Sequence, residues 1–162
     1  MKKTNKTNAA RILDQHNIPY ELLSYEVDEN DLGAENVSGK CNMPVEQSVK
    51  TLVLRGDKTG IVIACVPGDS AVDLKKLARV SNNKKIEMVP MKDILALTGY
   101  IRGGVSPIGM KKVYPTYLEE MVLLYDEVIL SAGQRGLQIK LDPKRLLDVL
   151  SVQVADIAGS KE

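Results

Sequence analysis

Hydrophobic residues change between helical and strand spacing several times along this chain of 162 residues. Residues 7–16 put their apolar side chains on one side of a predicted helix, which ends before Pro19. Residues 20–27 alternate between apolar and polar positions instead, which predicts a strand that carries Tyr25 on one face. Residues 33–42 favour a second, short helix.

Two apolar runs near the middle of the chain, at residues 49–54 and 61–66, predict a β-hairpin because a turn-rich segment separates them. Both runs are apolar on both faces, which is typical of central strands that are covered on each side. Farther along, Ser70 with Asp73 three residues later resembles a capping box and predicts the start of a helix. The inward positions of this helix are Leu74, Leu77 and Ala78.

The second half of the chain continues the alternation of helices and strands. Short strands are predicted at residues 85–89, 127–133, 136–142 and 152–157, and a short helix is predicted at residues 91–97. Asp142 and Pro143 predict the start of a last helix. The inward positions of that helix are Leu146, Leu147 and Leu150.

Interleaved helices and strands together with a hairpin predict an α/β fold, in which helices surround a curved mixed β-sheet. We expect one compact domain over residues 1–162, with its core between about residues 7 and 158.

Composition narrows the class of protein. The net charge of +1 lacks the strong basic excess of a general nucleic-acid-binding domain, so we expect no DNA partner and only local contacts with RNA. No apolar run is long enough to span a membrane, and no secretory signal is present, so we expect a soluble cytoplasmic protein without a membrane partner. Cys41, Cys65 and the only histidine, His16, match no zinc spacing, and we expect neither a metal nor a cofactor.

Residues 98–112, TGYIRGGVSPIGMKK, are too rich in glycine and proline for a helix interior or a central strand. This segment is therefore a loop with a special backbone shape. Gly104 and Gly109 have the separation of a phosphate-binding P-loop, but Met110 stands where the lysine belongs and Lys112 where the serine or threonine belongs. Nucleotide hydrolysis is excluded by this mismatch.

Three single residues stand out for chemistry. Lys50 shares a strand face with apolar residues, so its ammonium group either reaches water or lies at the mouth of a pocket, where it would hold a phosphate, a carboxylate or a polarised carbonyl. Tyr25 is either a core tyrosine with a bonded hydroxyl or a site residue. Turn chemistry explains the glycines on either side of the Gln134-Arg135 pair, but it does not explain Arg135.

Four segments carry a resemblance to a known family: SVKTLVL, VPGDSAVDLKKLA, TGYIRGGVSPIGMKK and ILSAGQRGLQIKLDPKRLLDVL. In this order and spacing they resemble the YbaK/EbsC family, the stand-alone branch of the prolyl-tRNA synthetase-associated editing domains, which includes Cys-tRNA(Pro) deacylases. The similarity runs from about the first helix to the last strand. It implies a mixed-sheet α/β domain that removes a wrong amino acid from tRNA(Pro) by ester hydrolysis, with prolyl-tRNA synthetase as a candidate partner.

The resemblance also implies roles for individual residues. The family's essential lysine falls on Lys50, and its pocket tyrosine resembles Tyr25; both are implied to be catalytic. The implied substrate-binding residues are Gly103, Gly104, Val105, Ser106, Pro107, Ile108, Gly109, Ser131, Gly133 and Arg135. Three positions depart from the family pattern, since Ala132 replaces a glycine, Gln134 replaces a lysine, and Gln138 stands where the cysteine-specific members often have an acidic residue.

A mechanism consistent with these residues uses the substrate rather than the protein as nucleophile. The sequence offers no Ser-His-Asp set and no convincing cysteine nucleophile, whereas a cysteinyl ester carries its own thiol. Lys50 would anchor the terminal nucleotide or the developing negative charge, and backbone N–H groups of residues 103–109 would line the carbonyl. Candidate contacts to tRNA phosphates are Arg102, Lys111, Lys112 and Arg135. The alternatives are a deacylase for Ala-tRNA(Pro) or another mischarged tRNA that uses water, and a non-catalytic module that binds a synthetase or tRNA.

Overall fold

The computed structural model describes residues 6–160 and confirms a mixed α/β fold. The helices are α1 (Asn8–Gln15), α2 (Ala34–Lys40), α3 (Leu74–Val80), α4 (Ile94–Thr98) and α5 (Leu146–Val149). The strands are β1 (Glu21–Ser24), β2 (Val49–Gly56), β3 (Gly60–Pro67), β4 (Ser70–Val72), β5 (Ile86–Met88), β6 (Thr116–Glu119), β7 (Val128–Gln134), β8 (Leu137–Leu141), β9 (Val152–Ala155) and β10 (Ala158–Ser160). Short 3-10 helices lie at Val45–Gln47, Met91–Asp93, Glu120–Leu124 and Pro143–Arg145.

Within the described residues the strands form three sheets rather than the single curved sheet that we expected. The largest has five strands in the order β5-β2-β3-β6-β9, antiparallel from β5 to β3 and parallel from β3 to β9. An antiparallel sheet has the order β1-β8-β7, and β4 pairs with β10. A single parallel bridge between Ser48 and Ile129 connects the start of β2 to β7.

The central strands are covered on both faces, as their apolar patterns predict. Along β3, Ile63 and Cys65 belong to a core cluster shared with α1 and the β1-β8-β7 sheet, whereas Val62, Ala64 and Val66 belong to a second cluster with α3. Successive side chains of a strand point to opposite faces, so each face buries its own set. The two clusters hold helices and sheets on opposite sides of β2 and β3.

Several boundaries differ from the sequence-based prediction. The predicted helix start at Ser70 is wrong, since Ser70 lies in β4 and the Asp73 side chain caps α3 by accepting hydrogen bonds from the backbone N–H groups of Lys75 (3.0 Å) and Lys76 (3.1 Å). Leu74 consequently lies in the first turn of α3, and its side chain is exposed rather than inward.

Two further predictions need correction because the observed strand and helix are shorter than the sequence patterns indicate. The strand predicted at residues 20–27 ends at Ser24, although the N–H of Tyr25 still donates to the carbonyl of Gly136 at 3.0 Å. α5 is a single turn, so Leu146 is buried whereas Leu147, predicted to face inward, is exposed.

One buried carboxylate connects three parts of the chain. Glu119, at the end of β6, is 1% exposed. Its Oε1 accepts from the backbone N–H groups of Ile157 and Ala158, both at 2.9 Å, and its Oε2 accepts from Met121 at 2.7 Å. Hydrogen bonds to a charged acceptor are stronger than neutral ones, so this carboxylate fixes the chain where β9 leads into β10.

We predict that Glu119→Ala lowers the free energy of unfolding by about 3 kcal/mol, because it removes a buried acceptor from three backbone donors. The neighbouring Glu120 is exposed and serves as the control. Glu120→Ala should change stability by less than about 0.5 kcal/mol in urea denaturation. Equal stabilities of the two variants would contradict the role assigned to Glu119.

Candidate functional site

A cavity of about 460 Å³ lies beside β2, where the five-stranded sheet, α2 and the glycine-rich loop at residues 98–112 meet. This volume is in the range that small-molecule sites occupy. Its polar lining residues are Ser48, Lys50, Thr51, Arg102, Ser131 and Gln138. Its apolar lining residues include Leu32, Val37, Val53, Met88, Met91, Ile94 and Val105.

Between the bridge at Ser48 and the pairing with β5, β2 has a short edge without a strand partner in the described residues, and this edge faces the cavity. The carbonyl of Ser48 accepts from Gly68, next to β3, whereas the carbonyl of Val53 accepts from Val89, next to β5. Backbone polar groups alternate in direction along a strand, so the N–H and C=O of Thr51 point the same way as those of Val53. β5 pairs only with residues 54–56 of β2. The backbone of Thr51 therefore faces the cavity beside the side chain of Lys50.

The glycine-rich loop is held in a fixed shape by its own side chains. The hydroxyl of Tyr100 donates to the carbonyl of Ile108 at 2.6 Å, and burial raises the pKa of this hydroxyl. Thr98 Oγ1 accepts from the N–H of Tyr100, and the carbonyl of Thr98 accepts from the N–H of Lys111. These bonds tie both ends of the loop together, so its wall is formed before any ligand binds.

A close backbone approach joins this loop to the turn between β7 and β8. A Cβ atom on Gly104 would lie 3.0 Å from Cα of Gln134 and 3.2 Å from the backbone nitrogen of Arg135. The Nε of Arg135 donates to the carbonyl of Arg102 at 2.7 Å, which adds a second connection. The glycines of the two segments permit this contact, and Arg135 maintains it.

Five of the site residues predicted from the sequence line the cavity together. They are Lys50, Arg102, Gly103, Val105 and Ser131. Gln138 lines it as well, directly across the β7-β8 ladder from Ser131, and both side chains are buried. Residues far apart in the sequence thus meet around one space.

The other predicted site residues do not line the cavity. They are Tyr25, Gly104, Ser106, Pro107, Ile108, Gly109, Gly133, Arg135, Lys111 and Lys112. Several of these support the wall from behind: Ser106 and Ile108 are buried, and Ser106 Oγ accepts from the N–H of Ile108 at 3.2 Å. The Nζ of Lys111 donates to the carbonyl of Ala96 in α4, and Lys112 is exposed.

The electrostatic character of the cavity is positive. Lys50 and Arg102 supply two cationic side chains, and the lining residues within the described part of the chain include no aspartate or glutamate. Gln138 is 6% exposed and adds a neutral amide side chain to the lining. Such a lining favours an anionic or strongly polar ligand.

The cysteines are poorly suited to act as nucleophiles. Cys65 is buried in β3, and this burial raises the pKa of its thiol to about 12. Burial also raises the pKa of the Cys41 thiol. His16 is exposed directly after α1, where its Nδ1 lies 2.9 Å from the carbonyl of Ile12. A reactive cysteine needs a lowered pKa, so neither thiol fits that role.

Residues 6–160 contain no group of three or more His, Cys, Asp or Glu side chains that could hold a metal ion. No helix in the same range is long and apolar enough to cross a membrane.

Sequence reasoning does not identify the apolar side of the cavity. Met88, Met91 and Ile94 come from β5 and the segment after it, and Leu32 precedes α2. No periodicity distinguishes these residues from ordinary core positions. Thr51 is detectable in principle, because it follows Lys50 within the VKTL segment that carries the resemblance.

Comparisons with known proteins point to one family. The family model of the aminoacyl-tRNA editing domain matches residues 29–149. The chain is 50% identical over 157 residues, 96% of each chain, to EbsC of Enterococcus faecalis, which is provisionally assigned as a Cys-tRNA(Pro)/Cys-tRNA(Cys) deacylase. It is 34% identical over 79 residues to a proline–tRNA ligase of Thermosipho africanus, a match that covers 49% of this chain and 14% of the ligase.

Solved structures agree with these matches. A crystal structure of a provisionally assigned trans-editing enzyme for prolyl-tRNA synthetase superposes with a TM-score of 0.80 at 28% identity, and the match covers 96% of this chain and 100% of that one.

We predict that Gly104→Ala lowers the free energy of unfolding by about 1–3 kcal/mol, because the new methyl group would lie closer than ordinary van der Waals contact to backbone atoms of Gln134 and Arg135. Gly39 in α2 is the matched control, since a Cβ there has nothing within 4 Å. Gly39→Ala should raise stability by about 0.5–1 kcal/mol, as expected for a helix interior, in the same denaturation experiment. A Gly104→Ala variant as stable as the wild type would contradict the close approach.

Proposed function

The chain belongs to the aminoacyl-tRNA editing domain family, and we propose that it hydrolyses the ester bond of mischarged tRNA(Pro), with Cys-tRNA(Pro) as its main substrate. The observation that carries this proposal is the cavity in which Lys50, Arg102 and the wall at Gly103 and Val105 meet. This cavity offers positive charge and backbone groups to an ester, and its described lining residues include no carboxylate.

Selection at the synthetase explains why such an enzyme is needed. A binding site discriminates amino acids of similar size by only about 1–3 kcal/mol, so a synthetase for proline also charges some wrong amino acids. A second site that hydrolyses those products raises the accuracy of translation. The similarity of half of this chain to a segment of a proline–tRNA ligase supports a connection between the two activities.

In this proposal Lys50 binds the negative charge of the substrate. Its side chain is half-buried at the cavity wall. A cation in a site with little water stabilises a developing oxyanion or a phosphate far better than a cation in open solvent does.

Two amides of the loop are suited to the carbonyl oxygen of the ester. The N–H of Gly104 donates to the carbonyl of Ile101 at 2.9 Å, and that of Ile108 donates to Ser106, so neither is available. The N–H groups of Gly103 and Val105 have no acceptor within the described residues, and both residues line the cavity. Pro107 has no N–H, and Ser106 and Gly109 do not line the cavity, so the proposed donors within residues 103–109 are these two.

The nucleophile in this proposal is the thiol of the substrate. A free thiol has a pKa of about 8.5, and a nearby cation such as that of Lys50 increases its thiolate fraction. The thiolate attacks its own ester carbonyl, the bond from that carbon to the ribose oxygen breaks, and the ribose oxygen takes up a proton. The product is a cyclic thioester, which water opens to free cysteine. Fixing the thiol beside the carbonyl is the main contribution of the cavity.

The proposed substrate also suggests location and partner. Mischarged tRNA(Pro) is formed by prolyl-tRNA synthetase, so we propose that the protein acts in the cytoplasm and meets its substrate near that synthetase. Tyr25 is proposed to contribute through its backbone, because its N–H donates to the carbonyl of Gly136 at 3.0 Å, in the β7-β8 turn that also carries Arg135.

We predict that Lys50→Ala lowers kcat/KM for Cys-tRNA(Pro) by about 100-fold or more, the cost typical of removing one group that stabilises transition-state charge. Lys144→Ala, which removes an exposed lysine after β8, should retain the wild-type rate. Circular dichroism of both variants checks that they are folded. Wild-type deacylation by Lys50→Ala would refute the assigned role.

We predict that cysteinyl esters of tRNA(Pro) are hydrolysed much faster than alanyl or seryl esters, since only cysteine carries the attacking thiol. A Cys65→Ala variant should keep this activity, because its thiol is buried with a pKa of about 12. Rapid hydrolysis of the alanyl ester would instead indicate a water mechanism, and tRNA binding without hydrolysis of any ester would indicate a binding module.

A further inference from the structure

A second concave surface lies on the β5 edge of the five-stranded sheet, between that edge and α3, and encloses about 560 Å³. We call it the lysine groove and define it by its four cationic lining residues, Arg55, Lys75, Lys84 and Lys85. Two carboxylates, Asp57 and Glu87, also line it. The chain as a whole has a net charge of +1, so positive charge is concentrated here.

The four cations form no ion pair within the described part of the chain. The contrast with the next residue of α3 is informative, because Lys76 pairs with Asp156 at 3.0 Å. The carboxylate of Asp57 is engaged by the backbone N–H groups of Lys84 (2.9 Å) and Lys85 (3.2 Å), and these bonds hold its pKa below the usual value. It therefore fixes the backbone of the lysines, while their ammonium groups remain exposed.

A buried asparagine, Asn83, connects the backbone near these lysines to the β2-β3 turn. The Oδ1 of Asn83 accepts from the N–H groups of Lys58 (2.9 Å) and Thr59 (3.0 Å), and its Nδ2 donates to side-chain oxygens of Thr59 and Ser81. A Cβ on Gly56 would lie 2.3 Å from Asn83, so the β2-β3 turn packs directly on this amide. The turn and the segment after α3 are thus joined, and the cations are presented from a fixed backbone.

The groove adjoins the cavity along two strands. Val53 lines the cavity, and Arg55, two residues farther along β2, lines the groove. In β5, Met88 lines the cavity and its neighbour Glu87 lines the groove. Two strand residues span about 7 Å. One strand of duplex DNA carries a phosphate for about every 3.4 Å of axis, so on a similar spacing an RNA end held in the cavity would have its next phosphates within reach of the groove.

We propose that the lysine groove binds the phosphates of the acceptor end of tRNA. This proposal rests on the proposed function, since it assumes that the aminoacylated 3′ end occupies the cavity. Arg55, Lys84 and Lys85 would contact phosphate oxygens, and the apolar floor at Leu74 and Ala78 would pack against the sugars. Contacts of this kind orient the substrate without reading its sequence.

The test measures binding of uncharged tRNA(Pro) at several salt concentrations, which does not depend on any deacylase activity. We expect the double variant Lys84→Glu/Lys85→Glu to bind at least tenfold more weakly than the wild type at low salt. The slope of log affinity against log salt should fall by roughly one for each phosphate that the variant no longer neutralises. The backbone bonds to Asp57 do not depend on these side chains, so the variant should fold.

Lys144→Glu is the matched control for the single variant Lys84→Glu, because both reverse one exposed lysine and Lys144 lies after β8, away from the groove. It should change tRNA affinity by less than twofold. A Lys84→Glu variant that binds tRNA as well as Lys144→Glu does would overturn the proposal. So would a groove variant that keeps tRNA binding but no longer binds prolyl-tRNA synthetase, since the groove would then be a protein surface.

A second measurement compares kcat/KM for Cys-tRNA(Pro) with kcat/KM for the cysteinyl ester of adenosine, which has no phosphates. The double groove variant should lower the ratio of the first to the second at least tenfold. Equal decreases on both substrates would overturn the proposal, because the groove would then act only through the cavity. Failure of the wild type to hydrolyse either ester would refute the proposed function, while the binding measurement would still test the groove.

Discussion

The alternation of backbone hydrogen bonds along β2 is the constraint on which the site depends. The carbonyl groups of Ser48 and Val53 point to opposite sides of the strand. That of Ser48 accepts from Gly68, after β3, and that of Val53 accepts from Val89, after β5. Because β5 pairs only with the last three residues of β2 and β7 bridges only to Ser48, the described part of β2 around Thr51 has one edge without a strand partner. Buried backbone groups need partners, so an open edge beside a polar cavity is suited to a ligand. The same strand also carries Lys50 into the cavity and Arg55 to the neighbouring groove.

The opposite wall of the cavity depends on a contact between two turns rather than on a sheet. Gly104 lies so close to the β7-β8 turn that a Cβ atom there would be 3.0 Å from Cα of Gln134, and Nε of Arg135 donates to the carbonyl of Arg102. Tyr100 fastens the loop through Ile108. A loop with this many fixed contacts cannot rearrange freely, and its amides therefore keep their direction. Preorganised donors are worth more to catalysis than mobile ones, since no reorganisation is needed during the reaction.

Local sequence signals predict those parts of the fold and site whose causes are local. The hairpin of β2 and β3 follows from two apolar runs around a turn, and the loop follows from its glycines and proline. β6 escapes prediction because a short parallel strand has no turn that indicates its partner, and β3 is far away in the sequence. The prediction at Ser70 is wrong because its spacing to Asp73 fits a capping box, although Asp73 itself is the cap.

The site shows the same division between local and long-range causes. Lys50 is predicted from its place at the end of an apolar strand and from the resemblance, but its neighbours Met88, Ile94 and Gln138 come from three other elements. The lysine groove is not predicted from the sequence either, because its residues also come from separate elements. Lys84 and Lys85 are adjacent in the sequence, whereas Arg55 and Lys75 reach them only through the pairing of β2 with β5 and the packing of α3. Proximity that arises from tertiary structure leaves no periodic signal in the chain.

The described cavity lining offers no nucleophile, and under the proposed mechanism this links catalysis to specificity. The described lining residues include no cysteine, histidine or carboxylate, and the thiol of Cys65 is held protonated by its burial in β3. A cavity of this kind contributes charge and orientation but no nucleophile of its own. A substrate that carries a thiol on its β carbon supplies what the cavity lacks, whereas proline and alanine do not. Under the proposed mechanism, selection against the correct product therefore does not require a precise fit, because Pro-tRNA(Pro) has no thiol that can attack its own ester even when it enters the cavity.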